Sequence, residues 1–517
     1  MLSALVLCVT GTVGARAVAY DSYIYEKETG KALRAPTAMV PELCLNGNTY
    51  AMSLFRNPED AAVDGEGRVY ILDSGNSRVV CLSPELELLW TLTRPEGNGS
   101  FTDARGLFVG NGMLYIADTG HARVLQYPLP QSQEEADAAL PLILTPKNLL
   151  VENDTGFKPT KLVADSQGRL FIVTEGVYEG LVELASDGEF LAYVGANRVK
   201  MSLLDQIWRL FSTEAQWRAS EKFVPVEFSN VCMDSEGFIF TTSRGTSGDE
   251  MPIRRLNLSG SDVLKNAEDE VRLGDADLPS QAAATYFGDV AAGPYGMFAG
   301  LDRTRGRVFV YNADVRLLFE FGGSGSQNGT FQNPVALLWL QDGRMAVLDR
   351  LTGNLTVFRP TAYGELVLST AYYEDIGDYT ASAEAYTRIL TMNANSEIAY
   401  VGVGEQYYRQ GNYKEAMRCY QLGNDTKSYS KAFVKERQKT LSVVIPFVIG
   451  ALLLAALAAI VSAVVKKVRE LRESVRKIRN MQKRGGKETV YDGIRKGTEI
   501  FPVYGVPSVQ RVLGNQI

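Results

Sequence analysis

Histidine is all but missing from this chain of 517 residues: there is one, His121, and cysteine (5) and tryptophan (4) are scarce as well. A lone imidazole rules out any centre that needs two or three of them. That removes most zinc and non-haem iron chemistry, and leaves a Ser-His or Cys-His hydrolase only if His121 serves. Five scattered cysteines are too few for a disulfide-stapled or zinc-finger scaffold. Cys44, Cys81, Cys232 and Cys419 read as buried free thiols, with one disulfide as the alternative. Strong bias of charge or polarity is missing too, since 45% of residues are hydrophobic and 22% charged, which excludes a wholly disordered chain. What is plentiful is glycine (48), tyrosine (25) and phenylalanine (21), a turn-rich β composition. The length predicts about three domains, or one large repeat array with attachments.

The net charge of −7 hides an asymmetry, because Lys466–Ile517 holds 13 Lys/Arg against 5 Asp/Glu. The rest of the chain is acidic, a poor partner for nucleic acid, whose affinity comes mainly from phosphate neutralisation. Between the two lies Leu441–Val465, 25 residues without a charge. As a helix this stretch would be about 37 Å long, enough to cross a hydrocarbon core of about 30 Å. Lys466, Lys467, Arg469, Arg472, Arg476, Lys477 and Arg479 follow at once, so the positive-inside rule puts residues 466–517 in the cytoplasm and the bulk outside. Met1–Val13 is apolar and Ala17-Val18-Ala19 is an A-x-A pattern, which reads as a signal peptide over residues 1–19. A basic region at its start is missing.

Internal repetition is the strongest signal in the body. Residues 57–80 read as an apolar strand, an Asp64-Gly65-Glu66-Gly67 turn, a strand Val69–Asp73, a tight Ser74–Ser77 turn and a third strand from Arg78. The pattern returns at Arg105–Val124, Asp165–Val173, Asp234–Phe240, Arg305–Tyr311 and Gln341–Asp349. Each unit is a short antiparallel sheet that cannot bury both faces alone, whereas six stacked radially can. At these residues, and at Phe321-Gly322-Gly323-Ser324-Gly325 with Gly329-Thr330-Phe331-Gln332-Asn333-Pro334, the chain resembles the NHL-repeat family of six-bladed β-propellers.

Within the repeats, Asp73 and Asp118 precede turns they can cap, and Arg78 and Arg123 can pair with acids of the same or a neighbouring blade. These four read as structural. His121 stands where the first repeat has Asn76, which also argues for a turn residue rather than a catalyst. Lyases and lactonase-like enzymes occur among propellers of this type, with metals held by several histidines or acids. Their histidines are absent here, so an enzyme is disfavoured, no cofactor is expected, and an all-oxygen calcium site stays open.

The spacing between the third and fourth repeats is stretched, running from Asp165 to Asp234. The excess, at about 200–221, carries Leu203, Leu204, Ile207, Leu210 and Phe211 at helical spacing with Trp208 beside them. Two readings compete: a helix packed on the propeller's own end, or a docking helix presenting Trp208 and Phe211. The insert also resembles that of bacterial membrane-anchored NHL proteins. After Pro360 the period becomes helical. Gly377-Asp378-Tyr379 returns as Gly411-Asn412-Tyr413 after about 34 residues, the period of a tetratricopeptide repeat. Residues 361–440 resemble that family, implying either a protein- or peptide-binding groove with Tyr386, Tyr407 and Tyr420 on its wall or a spacer. In the tail, Val468, Leu471, Val475, Ile478 and Met481 recur at helical spacing among basic residues, a pattern that suits an anionic membrane surface or another chain.

The expected architecture is mainly β: a six-bladed NHL-type propeller over residues 20–360, a small TPR-like helical module, one transmembrane helix and a basic tail. The resemblance implies a membrane-anchored extracellular recognition or scaffold protein. Relatives sit beside carbohydrate ABC transporters, so a transporter subunit, a solute-binding protein or a glycan is the implied partner, with the membrane and without nucleic acid. The competing class is an extracellular lactonase- or lyase-like enzyme with an acidic calcium site.

Overall fold

The computed structural model describes residues 18–485, apart from 28, 95, 98, 150–155, 196–226, 244–250, 265–272 and 278–283. The signal-peptide reading of residues 1–19 thus falls almost wholly outside the described residues, as does the insert with Trp208 and Phe211.

Six antiparallel sheets make the six blades. In the first, Asp60–Val63, Val69–Asp73, Arg78–Leu82 and Leu88–Thr93 follow one another from the axis outward. The two middle strands are buried at every residue, which is why their sequence is nearly continuous in apolar residues rather than alternating. The second blade runs from Ala104–Gly110 to Leu142–Leu144, the third from Pro159–Ala164 to Phe190–Val194, and the fifth from Phe287–Ala292 to Leu317–Gly322. The fourth shows three strands among the described residues, Phe228–Met233, Ile239–Ser243 and Ile253–Leu256.

Local chemistry sets the turns. Asp64 Oδ1 accepts from the backbone N–H groups of Glu66 and Arg68, both at 2.9 Å, and Gly67 takes φ +82°. Asp165 does the same for Gln167 and Arg169 at 2.9 Å, and Asp234 for Glu236 and Phe238 at 3.0 and 2.9 Å. These Asx turns join first to second strands. The fifth blade departs from the expected phase. Its first-to-second turn is built on Pro294–Gly296, and Arg305-Gly306 instead joins Phe298–Asp302 to Arg307–Tyr311. The repeat at Arg305–Tyr311 is therefore one strand out of register with the others, because that blade has no aspartate-glycine signal at its first turn.

The sixth blade takes its outer strand from the other end of the propeller sequence. Pro334–Trp339, Met345–Asp349 and Asn354–Pro360 are completed by Met39–Leu45, which pairs antiparallel with Asn354–Pro360. Ring closure thus sets Leu45 opposite Leu355 and Met39 opposite Pro360.

A first short helix, α1 (Gln133–Ala138), lies along the first blade, where Gln133 hydrogen-bonds both ways with the Thr91 backbone. Beyond the propeller come α2 (Ala362–Asp375), α3 (Tyr379–Met392), α4 (Glu397–Arg409), α5 (Tyr413–Leu422) and α6 (Thr426–Gly485). Gly377 and Gly411 supply the left-handed turns, φ +73° and +75°, that close α2 onto α3 and α4 onto α5. Tyr363, Val367, Ala371, Tyr386 and Ile389 share one apolar core with Val308, Phe319, Met345 and Phe358 of the propeller. The helical hairpins are fused to the propeller rather than tethered to it. Helix α6 contains the one stretch, among the described residues, long and apolar enough to cross a membrane.

Candidate functional site

The innermost strands of the second to sixth blades each carry a bulge, and the residue just after it occupies one equivalent position around the axis. Asp60 holds that position in the first blade, whose strand pairs without interruption. Register fixes the set as Asp60, Gly106, Lys161, Asn230, Asp289 and Ala336, each paired with the residue before the end of its second strand. Four of the six are polar, and they are joined in pairs. Lys161 Nζ lies 2.7 Å from Asp60 Oδ1 and 3.2 Å from the Glu59 carbonyl oxygen. Asp60 Oδ2 also accepts from Leu107 N–H at 2.8 Å. Across the ring the Asn230 amide donates to Asp289 Oδ1, and Asp289 Oδ2 accepts from Leu337 N–H at 2.6 Å.

Burial dominates the electrostatics. It pushes the Asp289 carboxyl up to about 7, with Lys161 pulling down and Asp60 pushing up. Asp60 is also raised by burial, although Lys161 opposes it directly. Cys232 lies on the same innermost strand as Asn230, and burial lifts its thiol to about 12, far from a reactive thiolate. Every carboxylate oxygen of Asp60 and Asp289 already accepts a hydrogen bond. No group of three His, Cys, Asp or Glu able to hold a metal occurs among the described residues.

Sequence reasoning picks out none of these axial residues, although a signal for them exists. Asp60, Asp289 and Ala336 stand at one fixed offset ahead of Asp73, Asp302 and Asp349, and Gly106 stands one position closer to Asp118. Residue type varies from blade to blade at that position, so repetition of type does not reveal it.

A second belt holds the four repeat residues named from sequence. Asp73 Oδ1 accepts from Arg56 N–H at 2.7 Å, and its Oδ2 accepts from Asn76 at 2.8 Å and Arg78 Nε at 2.6 Å. Arg78 in turn donates to the Ser53 carbonyl oxygen at 2.6 Å. The second blade repeats this pattern. Asp118 accepts from Thr102 N–H at 2.9 Å and Arg123 Nε at 2.8 Å, and His121 Nδ1 stands 2.8 Å from it where Asn76 stands in the first. Each aspartate ties the loop entering its blade to the blade's own hairpin. Asp349 does so with backbone donors, those of Gln332, Asn333, Leu351 and Thr352.

The tyrosines expected on a groove wall are placed otherwise. Tyr386 is 4% exposed and donates its hydroxyl to Glu374 at 2.8 Å; Tyr420 is 1% exposed and donates to Glu405 at 3.0 Å. Gly402 and Gly404 let those two rings pack closely against α4, where a Cβ would sit 2.1 and 2.9 Å from ring atoms. Both are core residues, because an aromatic ring at the hairpin crossing fills the interhelical space. Tyr407 is half-buried against the small Ala416–Tyr420–Ala432 core. The three do not form a shared binding wall.

Six radial sheets closed by an end-to-end strand define a β-propeller. The family model for the NHL repeat matches residues 55–82, the first three strands of the first blade with their belt aspartate, and the propeller is of the NHL type. A search of curated proteins finds no match. Among solved structures the chain is similar to a streptogramin B lyase (12% identity, TM-score 0.37, covering 63% of this chain and 98% of that one). It is also similar to virginiamycin B lyase from Staphylococcus aureus (10%, 0.36, 62% and 99%) and to a protein of unknown function from Bacteroides caccae (11%, 0.35, 63% and 96%). At these scores the likenesses carry no argument about chemistry.

Proposed function

We propose that this protein is a membrane-anchored recognition scaffold, presenting the outer surfaces of a propeller and its fused helical hairpins to a partner. The observation that supports this reading is the axial ring. The side chains best placed to meet a substrate at the propeller's centre are engaged with one another and with backbone amides. In its finer form the proposal follows the resemblance: the bulk of the chain outside the cell, the helical hairpins acting as a tetratricopeptide-like module, and a carbohydrate ABC transporter subunit or solute-binding protein as partner.

The test uses the full chain in its membrane. Protease added to intact cells should digest the propeller and spare an epitope in residues 486–517, and cross-linking should capture a transporter component. A protected propeller overturns the orientation. Turnover of a lactone or glycoside by the purified protein, lost in Asp289→Asn with the fold intact, would replace the scaffold with an enzyme.

A further inference from the structure

Helix α6 continues past its apolar stretch without a glycine or proline until Gly485. Two stripes run along that continuation. Val468, Leu471, Val475 and Ile478 recur at spacings of three and four and are 42–60% exposed. Shifted by one residue, Arg469, Arg472, Arg476, Arg479 and Lys483 repeat the same spacing. On an α-helix residues three and four apart share a face, so an apolar ribbon lies beside a ribbon of five cations. Lys466–Lys483 holds 8 Lys/Arg against Glu470 and Glu473, a net charge of +6. Among the described residues no ion pair engages any of the five cations.

We propose that Lys466–Lys483 is a lipid-binding helix that docks on an anionic bilayer surface where the chain leaves the membrane. This rests on the membrane-anchor reading and names one partner of the anchored protein, a phosphate-bearing leaflet. Charge complementarity selects that partner. Anionic headgroups attract clustered cations immediately beside a span, and the attraction fades within about a Debye length, roughly 8–10 Å. The apolar ribbon adds contact at the headgroup–acyl boundary, with the neighbouring arginine stems reaching back to phosphate. A second copy of the helix fits less well. A parallel pair with Val468 and Val475 at the a positions sets Lys467 against Arg472 of the other copy, like charge on like.

The experiment uses the full chain in lipid nanodiscs of pure phosphatidylcholine or of phosphatidylcholine with one-third phosphatidylglycerol, with tryptic cleavage after Arg472, Arg476 and Arg479 as the readout. Cleavage should be about tenfold slower in the anionic discs at low salt, and the protection should vanish in about 0.5 M salt. Arg469→Gln with Arg472→Gln, Arg476→Gln, Arg479→Gln and Lys483→Gln, read by cleavage after the remaining Lys477, should abolish it while leaving the propeller's melting unchanged. Equal cleavage in both lipids overturns the proposal but leaves the anchor intact. So does salt-independent protection with disulfide-linked dimers of Val475→Cys, which assigns the ribbon to a second copy. A chain that never inserts into either disc overturns the anchor reading together with this one.

Discussion

Lys161 reaches Asp60 across an entire intervening blade, 2.7 Å from nitrogen to oxygen, and Gly106 is the residue that makes room. A Cβ at Gly106 would lie 2.5 Å from the Thr160 carbonyl oxygen and 2.9 Å from Lys161 Cα. The second blade therefore gives up its own axial side chain so that the first and third can pair. Lys161→Met leaves the buried Asp60 carboxylate without its cation, and should cost about 3–5 kcal/mol in urea unfolding. Adding Asp60→Leu should recover most of that loss. A double variant no more stable than the single one would show that the pair is not coupled.

Gly106→Ala tests the same arrangement from the backbone side. The clash is with backbone atoms, which cannot rotate away, and the expected loss is about 1–3 kcal/mol. Thermal melting of the full chain measures it.

Glu320 carries a pH signature. It is 1% exposed, its Oε1 accepts from Tyr23 N–H at 3.0 Å, and its Oε2 has no partner. Burial lifts its carboxyl to about 8, with Asp275 and Asp21 pushing the same way and Arg307 opposing. The folded state holds a proton that the unfolded chain releases near its ordinary pKa of about 4.3. The site therefore weakens folding progressively as pH rises from about 4.3 to 8, and no further above that. Glu320→Gln should gain stability relative to the parent across that window and level off beyond it, as read from melting temperature against pH. A difference that stays flat with pH contradicts the assignment.

The belt makes opposite forecasts for two of its residues. Arg78→Ala strands the fully buried Asp73 carboxylate and should cost about 3 kcal/mol or more. His121→Asn should stay within about 0.5 kcal/mol, since Asn76 fills the equivalent place in the first blade and the His121 side chain is exposed. Chemical denaturation of both variants decides whether the belt is structural.

The blades are legible because their turns are: aspartate or asparagine with glycine, between apolar runs, marks five of the six. The fifth blade reads out of phase because its turn uses Pro294 and Gly296. The long apolar helix follows from an uncharged run and its basic flank, and the hairpin helices from their period. The strand Met39–Leu45 is not recognisable as the last of a blade. Nothing local distinguishes a strand that pairs with its own hairpin from one that pairs with the far end of the propeller. Tyr386 and Tyr420 mislead for another reason. A tyrosine at helical spacing looks the same whether its hydroxyl meets water or, as here, a glutamate in the preceding helix. The axial ring escapes because it is complementary rather than repetitive, an aspartate in one blade answered by a lysine in another.

Closure of the sixth blade by Met39–Leu45 sets an order of events. Met39–Leu45 has no partner strand until Asn354–Pro360 has been made, so it must wait unpaired while five blades emerge. A strand with open edges is a template for association with other chains. An interruption of synthesis before Asn354 leaves Met39–Leu45 without its partner and the sixth blade without its outer pair of strands. Pairing of Asn354–Pro360 with Met39–Leu45 is thus the step that turns a row of blades into a closed ring.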